Sequence, residues 1–282
     1  MAAPAQDVRR LIGMTVGFPR LDAEAAAGLL VEFGFEAVEV HLLQVGPGVA
    51  GVPVCEGHAA ALGESLRDAG LLVSTLNCAG ALGFEPLGGS AAWEAAADEL
   101  ARQLRLAEAM GSPRVLCWDG SLPPEGDPSP GPRLLAECVA TALERSGLSD
   151  PPEVSVELHP FTFALDRRLV PELGEALRGV GAGICLDFCH FGVALGSAFL
   201  DELDAAVLEA VNHIHFADTD CVTSELHFPP GKGVLDLDAI VSRVAGLDVA
   251  LAWDLFGWPA PRAAIRKHLP AYARFVRQGV PR

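Results

Sequence analysis

Positive charge is scarce in this 282-residue chain. Twenty lysines and arginines stand against 37 aspartates and glutamates, a formal net charge of −17. A surface of that sign repels phosphate backbones and anionic lipid, so neither nucleic acid nor a membrane is an expected partner. No apolar run approaches the roughly 18 residues of a membrane-crossing helix, and the opening MAAPAQDVRR lacks the apolar core of a secretion signal. None of the seven cysteines forms a C-x-x-C pair, and their odd number speaks against a disulfide framework. Most lie in apolar runs, where a free thiol packs as a small hydrophobe, so a reducing, cytoplasmic setting is expected. No G-x-G-x-x-G follows the first strand-like run, and PGKG at 230–233 is too short for a nucleotide-binding P-loop.

What the chain does have is alternation. Eight short apolar runs (LIGMTVGF, AVEVHL, LLVSTLN, RVLCW, EVSVEL, GICLDF, VNHIHF and VALAWDLF) are separated by alanine- and leucine-rich segments with helical periodicity. The expected helices cover residues 22–33, 56–69, 91–110, 132–145, 168–178, 199–210, 237–244 and 260–277. Strands that alternate with helices pair in parallel through crossovers. Eight such pairs predict an α/β fold, a single (β/α)8 TIM barrel over residues 1–282, rather than an open doubly wound sheet. GSLPPEGDPSPGP, residues 120–132, reads as a mobile surface loop.

Polar residues gather where these runs end: Glu39 and His41, Asn77, Glu157 and His159, Asp187 and His190, His213, His215 and Asp218, and Asp254. In a barrel of this kind the C-terminal strand ends carry the active site. A lone strand-end acid is commonly a helix cap or an ion-pair partner, and Glu39 and Asp218 fit that reading. His213, two residues before His215, points the same way on its strand and reads as a hydrogen-bonded core histidine. His58 and His268 lie in helices and read as surface residues, and Trp118, Trp253, Phe256 and Trp258 read as core or pocket wall. The group is stronger than its members. Glu157, Asp187, His215 and Asp254 come from four consecutive strands, and several buried carboxylates together need a compensating cation. Three carboxylates and one imidazole suit Mn²⁺, with Mg²⁺ or Co²⁺ as alternatives. Zinc more often takes further histidine or cysteine.

From GFEAVEVHL onward the chain resembles the sugar isomerase/epimerase superfamily of xylose isomerase-like barrels, most clearly through VSVELHP, GICLDFCHFG, VNHIHFAD, PPGKGVLDLDAI and VALAWDLFG. The resemblance implies a divalent metal, often manganese, held by Glu157, Asp187, His215 and the residue at 254. Relatives usually have glutamate there, and this chain has the shorter Asp254. His190 and His159 match positions that contact substrate in relatives, and Glu39 is placed with them on the substrate side. His227 stands where the family has an arginine.

The resemblance further implies an enzyme of carbohydrate metabolism. It would act on a small sugar-like ketone, with Glu157 and Asp254 exchanging protons next to the carbonyl, as an isomerase or epimerase. A dehydratase of the 3-dehydroshikimate or inosose type is the alternative, because VELHPFT matches the dehydratase E-x-H-P pattern at least as well. A non-catalytic metabolite binder is a third reading, suggested by Asp254. Barrels of the group are often dimers or tetramers, which leaves a homo-oligomer open. An abasic-site endonuclease shares the fold, but it usually needs more metal-ligating histidines and a basic groove, and the net charge is against it.

Overall fold

The computed structural model describes residues 10–46, 54–78, 84–121, 127–163, 166, 168–203, 205–247 and 249–278. Eight parallel strands close in chain order: β1 (Ile12–Met14), β2 (Ala37–His41), β3 (Leu72–Asn77), β4 (Arg114–Trp118), β5 (Glu153–Glu157), β6 (Ala182–Asp187), β7 (Val211–Phe216) and β8 (Leu251–Trp253). Around them run α1 (Ala23–Phe33), α2 (Glu56–Asp68), α3 (Ser90–Met110), α4 (Gly131–Ser146), α5 (Leu169–Gly179), α6 (Phe188–Leu195), α7 (Phe199–Glu202), α8 (Ala205–Ala210), α9 (Leu237–Val244) and α10 (Pro261–Gln278). The expected (β/α)8 barrel is therefore the fold found.

The helix starts and stops follow their capping residues. Asp22 and Asp236 accept from the backbone of Ala25 and Ala239 and open α1 and α9. Gly34, Gly111 and Gly147 close α1, α3 and α4 in the left-handed conformation that glycine adopts without steric cost. Gly63 sits inside α2 for a different reason: a Cβ there would lie 2.1 Å from the carbonyl oxygen of Met110, so α2 and α3 could not pack as closely.

Three expectations need correction. The single helix over 199–210 is two short ones, α7 and α8, separated at Leu203. In addition, α6 begins directly after β6, where the apolar pattern predicts no separate helix. Its N-cap is Asp187 itself, whose Oδ1 accepts from the backbone N–H groups of Cys189 (2.6 Å) and His190 (3.0 Å). The loop expected at 120–132 is shorter, because Gly131 and Pro132 belong to α4, and residues 122–126 lie outside the described residues. All seven cysteines are free. Among the described residues no helix is long and apolar enough to cross a membrane.

The barrel interior is divided. Ile12, Met14, Ala37, Ala250 and Ala252 form a small apolar cluster on the β8–β1–β2 side. Elsewhere the strands point polar side chains into buried positions: Glu39 from β2, Thr75 from β3, Arg114 from β4, Ser155 from β5, and His213 and His215 from β7. The β1–β8 seam is held by the chain's single tyrosine. Tyr272 on α10 donates to the carbonyl of Leu251 (2.6 Å) and accepts from the N–H of Ile12 (3.2 Å). Tyr272→Phe leaves both backbone groups buried without that partner. It is expected to lower unfolding stability by about 1–3 kcal/mol, measured by urea denaturation.

Candidate metal and active site

Register brings the strand-end residues level. Asp187 pairs with His215 across β6–β7, Glu157 with Cys185 across β5–β6, and Trp118 with Glu157 across β4–β5. Asp254 follows the last residue of β8. The result is convergence on one atom. The Nδ1 of His215 lies 2.8 Å from Glu157 Oε1, 3.5 Å from Asp187 Oδ2 and 3.9 Å from Asp254 Oδ2. All four side chains are buried.

The other carboxylate oxygens of the two aspartates are fixed by the backbone. Asp187 Oδ1 caps α6, and Asp254 Oδ1 accepts from the N–H of Phe256 at 2.7 Å. That leaves both Oδ2 atoms aimed inward. Asp187, His215 and Asp254 offer ligand atoms within 4.8 Å of one another, and so do Asp187, His190 and His227. His227 Nε2 lies 3.1 Å from Asp187 Oδ2 and 3.6 Å from Asp254 Oδ2. His190 Nδ1 lies 3.7 Å from Asp187 and 3.9 Å from Glu157, and among the described residues neither of its ring nitrogens has a hydrogen-bond partner.

Electrostatics follow from this crowding. Burial pushes the Asp187 carboxyl up, but His190 and His227 outweigh it and hold it well below the usual range. Burial also raises Glu157, and His215 more than reverses that. Asp254 goes the other way: burial, with the Asp187 carboxylate adding to it, raises it despite His227 and His215. Burial lowers the His215 imidazole, yet Cys185, Glu39 and Glu157 carry it well above its ordinary value. His227 is likewise lowered by burial and raised further by Asp254 and Asp187, to about 9.

The other expected residues fall around this centre. A cavity of about 310 Å³ opens above it, lined by Trp118, Phe161 and Phe256 on its apolar sides and by His41, Asn77, His159, His190 and His227 on its polar ones. Glu39 is not in its lining. It lies beneath, 1% exposed, with its carboxylate accepting from Asn77 (2.6 Å) and lying 3.0 Å from His215 Nε2 and 2.8 Å from His213 Nε2. Asp218 organises the following loop, accepting from the backbone of Gly231, Gly233 and Leu235. That accounts for the PPGKG turn, where a Cβ on Gly233 would meet Asp218 and Thr219. Trp253 packs outward against Phe35 and Tyr272, and Trp258 packs on Phe228. His58 and His268 are half-buried on their helices.

One acid escaped the sequence reading. Asp119, completely buried just beyond β4, accepts from the hydroxyl of Thr162 and from the N–H of Phe163 (3.2 Å), and lies 3.5 Å from His159 Nδ1. His159 stacks on His190 at 4.6 Å and meets the edge of Trp118 at 4.9 Å. Asp119 follows a strand-end tryptophan and opens a Gly/Pro-rich loop, so it reads as a turn residue. Only its place directly after β4 marked it as another rim acid.

The raised His227 gives a signed pH dependence for the chelator-treated protein. A histidine whose folded value is raised from 6.5 to about 9 contributes stability that is complete below about pH 6.5 and is lost as pH rises through 9. The stability gap between wild type and His227→Gln is therefore expected to shrink by on the order of 2–3 kcal/mol between these limits, read from urea midpoints. A gap that does not change with pH would contradict the assignment.

The family model for xylose isomerase-like TIM barrels matches residues 27–269. No curated protein matches the chain. Among solved structures it is similar to the IolI protein crystallised with a zinc atom (15% identity, 97% of this chain and 100% of that one, TM-score 0.73). It is also similar to a D-tagatose 3-epimerase-like protein (12% identity, 95% and 98% covered, TM-score 0.74). A third is endonuclease IV from Thermus thermophilus (19% identity, 95% and 99% covered, TM-score 0.66). At these identities the likeness shows a shared barrel and no shared reaction. With the family model spanning most of the sequence, the chain belongs to the xylose isomerase-like TIM barrel family.

Proposed function

We propose that this barrel is a divalent-metal-dependent isomerase or epimerase of a small, polyhydroxylated ketone. The observation that carries the reading is the convergence of Glu157, Asp187 and Asp254 on His215 Nδ1 at the floor of a cavity sized for a small molecule. The donor set fits a cation. Three buried carboxylates need compensation, and two of them have one oxygen tied to backbone N–H so that the other is presented inward. Glu157, Asp187, His215 and Asp254 would hold the ion. Three oxygens and one nitrogen suit Mn²⁺, Mg²⁺ or Co²⁺. His190 and His227 beside Asp187 extend the set toward zinc, the metal in the IolI structure.

Bound there, a divalent cation would stabilise the negative charge that develops on a substrate oxygen when the adjacent C–H is deprotonated. The chain supplies the proton transfers. Glu157, kept ionised by His215, is the acceptor on one side, and Asp254, from β8, is its counterpart on the other. Groups whose environments push their titration apart make an acid and base pair. His190 and His159 line the cavity and would orient hydroxyls. The lining carries Glu225 and, among the described residues, no lysine or arginine. That supports a small uncharged substrate over nucleic acid, despite the endonuclease relative.

A dehydratase is the second reading, favoured by the Asp119–His159 pair. A histidine steadied by a buried carboxylate beside the cavity is suited to protonate a departing hydroxyl. Solvent exchange separates the two. In D₂O with Mn²⁺ or Zn²⁺, unphosphorylated ketoses are expected to gain deuterium next to the carbonyl without loss of water. An ultraviolet-absorbing enone or aromatic product would instead establish the dehydratase. Glu157→Gln and Asp254→Asn should each slow exchange by about 10²–10⁴-fold, and exchange at the wild-type rate would remove that residue from the chemistry. No bound metal, with no rise in melting temperature on adding Mn²⁺ or Zn²⁺, would overturn both readings.

A further inference from the structure

Beneath the site, a line of buried polar groups crosses the barrel interior. Arg114, the first residue of β4 at the N-terminal end of the barrel, is held by Glu153 at 2.6 Å and reaches His213 Nδ1 at 3.4 Å. His213 Nε2 lies 2.8 Å from Glu39 Oε2. Glu39 Oε1 lies 3.0 Å from His215 Nε2 and accepts from Asn77 at 2.6 Å. His215 Nδ1 then faces Glu157, Asp187 and Asp254. Glu39, His213 and His215 are each 1% exposed or less, so water does not compete for the bonds among them.

The direction of every bond in this line is fixed from its ends. A guanidinium has five N–H donors and no acceptor. His213 must therefore accept at Nδ1, which places its proton on Nε2, facing Glu39. An ionised carboxylate only accepts. Glu39 thus takes protons from His213 and Asn77, and demands one from His215 Nε2 as well. With Nε2 committed, the remaining lone pair of a neutral His215 lies on Nδ1, the atom that looks into the acidic cluster. A metal-ligating histidine needs this arrangement, in which the far nitrogen donates to a carboxylate and the near one is left basic.

We infer that Arg114, His213 and Glu39 form a relay through the barrel that sets the tautomer and ring orientation of His215, and so controls cation affinity at the rim from the opposite end of the barrel. Glu39 and His213 are positioning residues on this account, and Arg114 is the anchor that fixes the sense of the line. The inference rests on the metal-site reading above.

Calorimetric titration of the full chain with Mn²⁺ tests it without reference to turnover. Glu39→Gln keeps the volume but removes the charge, and is expected to weaken Mn²⁺ binding by about 10–100-fold. Arg114→Met should weaken it by several-fold although position 114 touches no ligand of the ion, and Arg114→Lys, which keeps a donor, should restore most of the loss. If wild type binds Mn²⁺ and both Glu39→Gln and Arg114→Met bind within twofold of it, the relay is overturned and the metal site stands. If wild type binds neither Mn²⁺ nor Zn²⁺, the metal reading falls, and the relay with it. A measurement on wild type covers variants that do not fold. In the Zn²⁺-loaded protein, ¹⁵N-resolved NMR should show His213 and His215 both protonated on Nε2. A His213 protonated on Nδ1 would overturn the relay whatever the variants do.

Discussion

Three carboxylates face one imidazole nitrogen at the floor of the cavity, and all four side chains are buried. Buried like charges are tolerable only with compensation. In the chain by itself the compensation is histidine: His215 and His227 are both driven toward the protonated form by the acids around them. The same acids would serve a divalent cation, which would take the place of the His215 proton. The rest of the upper barrel is arranged around this constraint. Asp187 gives one oxygen to the start of α6 and keeps the other for the site. Asp254 does the same with Phe256. Each acid is thus held in position by backbone that the fold needs anyway.

The shortened fourth acid fits this arrangement. Asp254 reaches within 3.9 Å of His215 Nδ1 and 3.6 Å of His227 Nε2. Beside it stands His227, at the position where the sequence resemblance implies an arginine. A histidine in contact with two aspartates is a shorter and more adaptable partner than a guanidinium fork. Asp254 and His227, the two positions at which the sequence resemblance finds a different residue, are neighbours in space.

Much of the site was legible because barrel geometry converts a one-dimensional regularity into a ring. The residues at the ends of β5 to β8 are brought to one level by parallel register, so Glu157, Asp187, His215 and Asp254 meet as their strand-end positions imply. Glu39 was legible as an inward acid but not in its depth. Strand alternation tells which way a side chain points, whereas its layer depends on the stagger of the closed sheet. Asp119 and Arg114 were not legible in role. Asp119 acquires its partners, Thr162 and His159, from the next βα loop, and Arg114 reaches His213 across the barrel. The helix α6 was missed because its run FCHFGVAL is apolar on all faces. It starts on an aspartate already claimed by the strand, so periodicity gave no boundary.

By itself, then, the sequence determined the order of strands and helices, the end of the barrel that carries polar groups, and a formal net charge of −17. These depend on local periodicity and on composition. Tertiary structure decided which acid faces which imidazole, which oxygens are tied to backbone, and that a line of polar groups joins Arg114 to His215. Those depend on distances and bond directions between residues far apart in the chain, and they exist only once the eighth strand closes against the first.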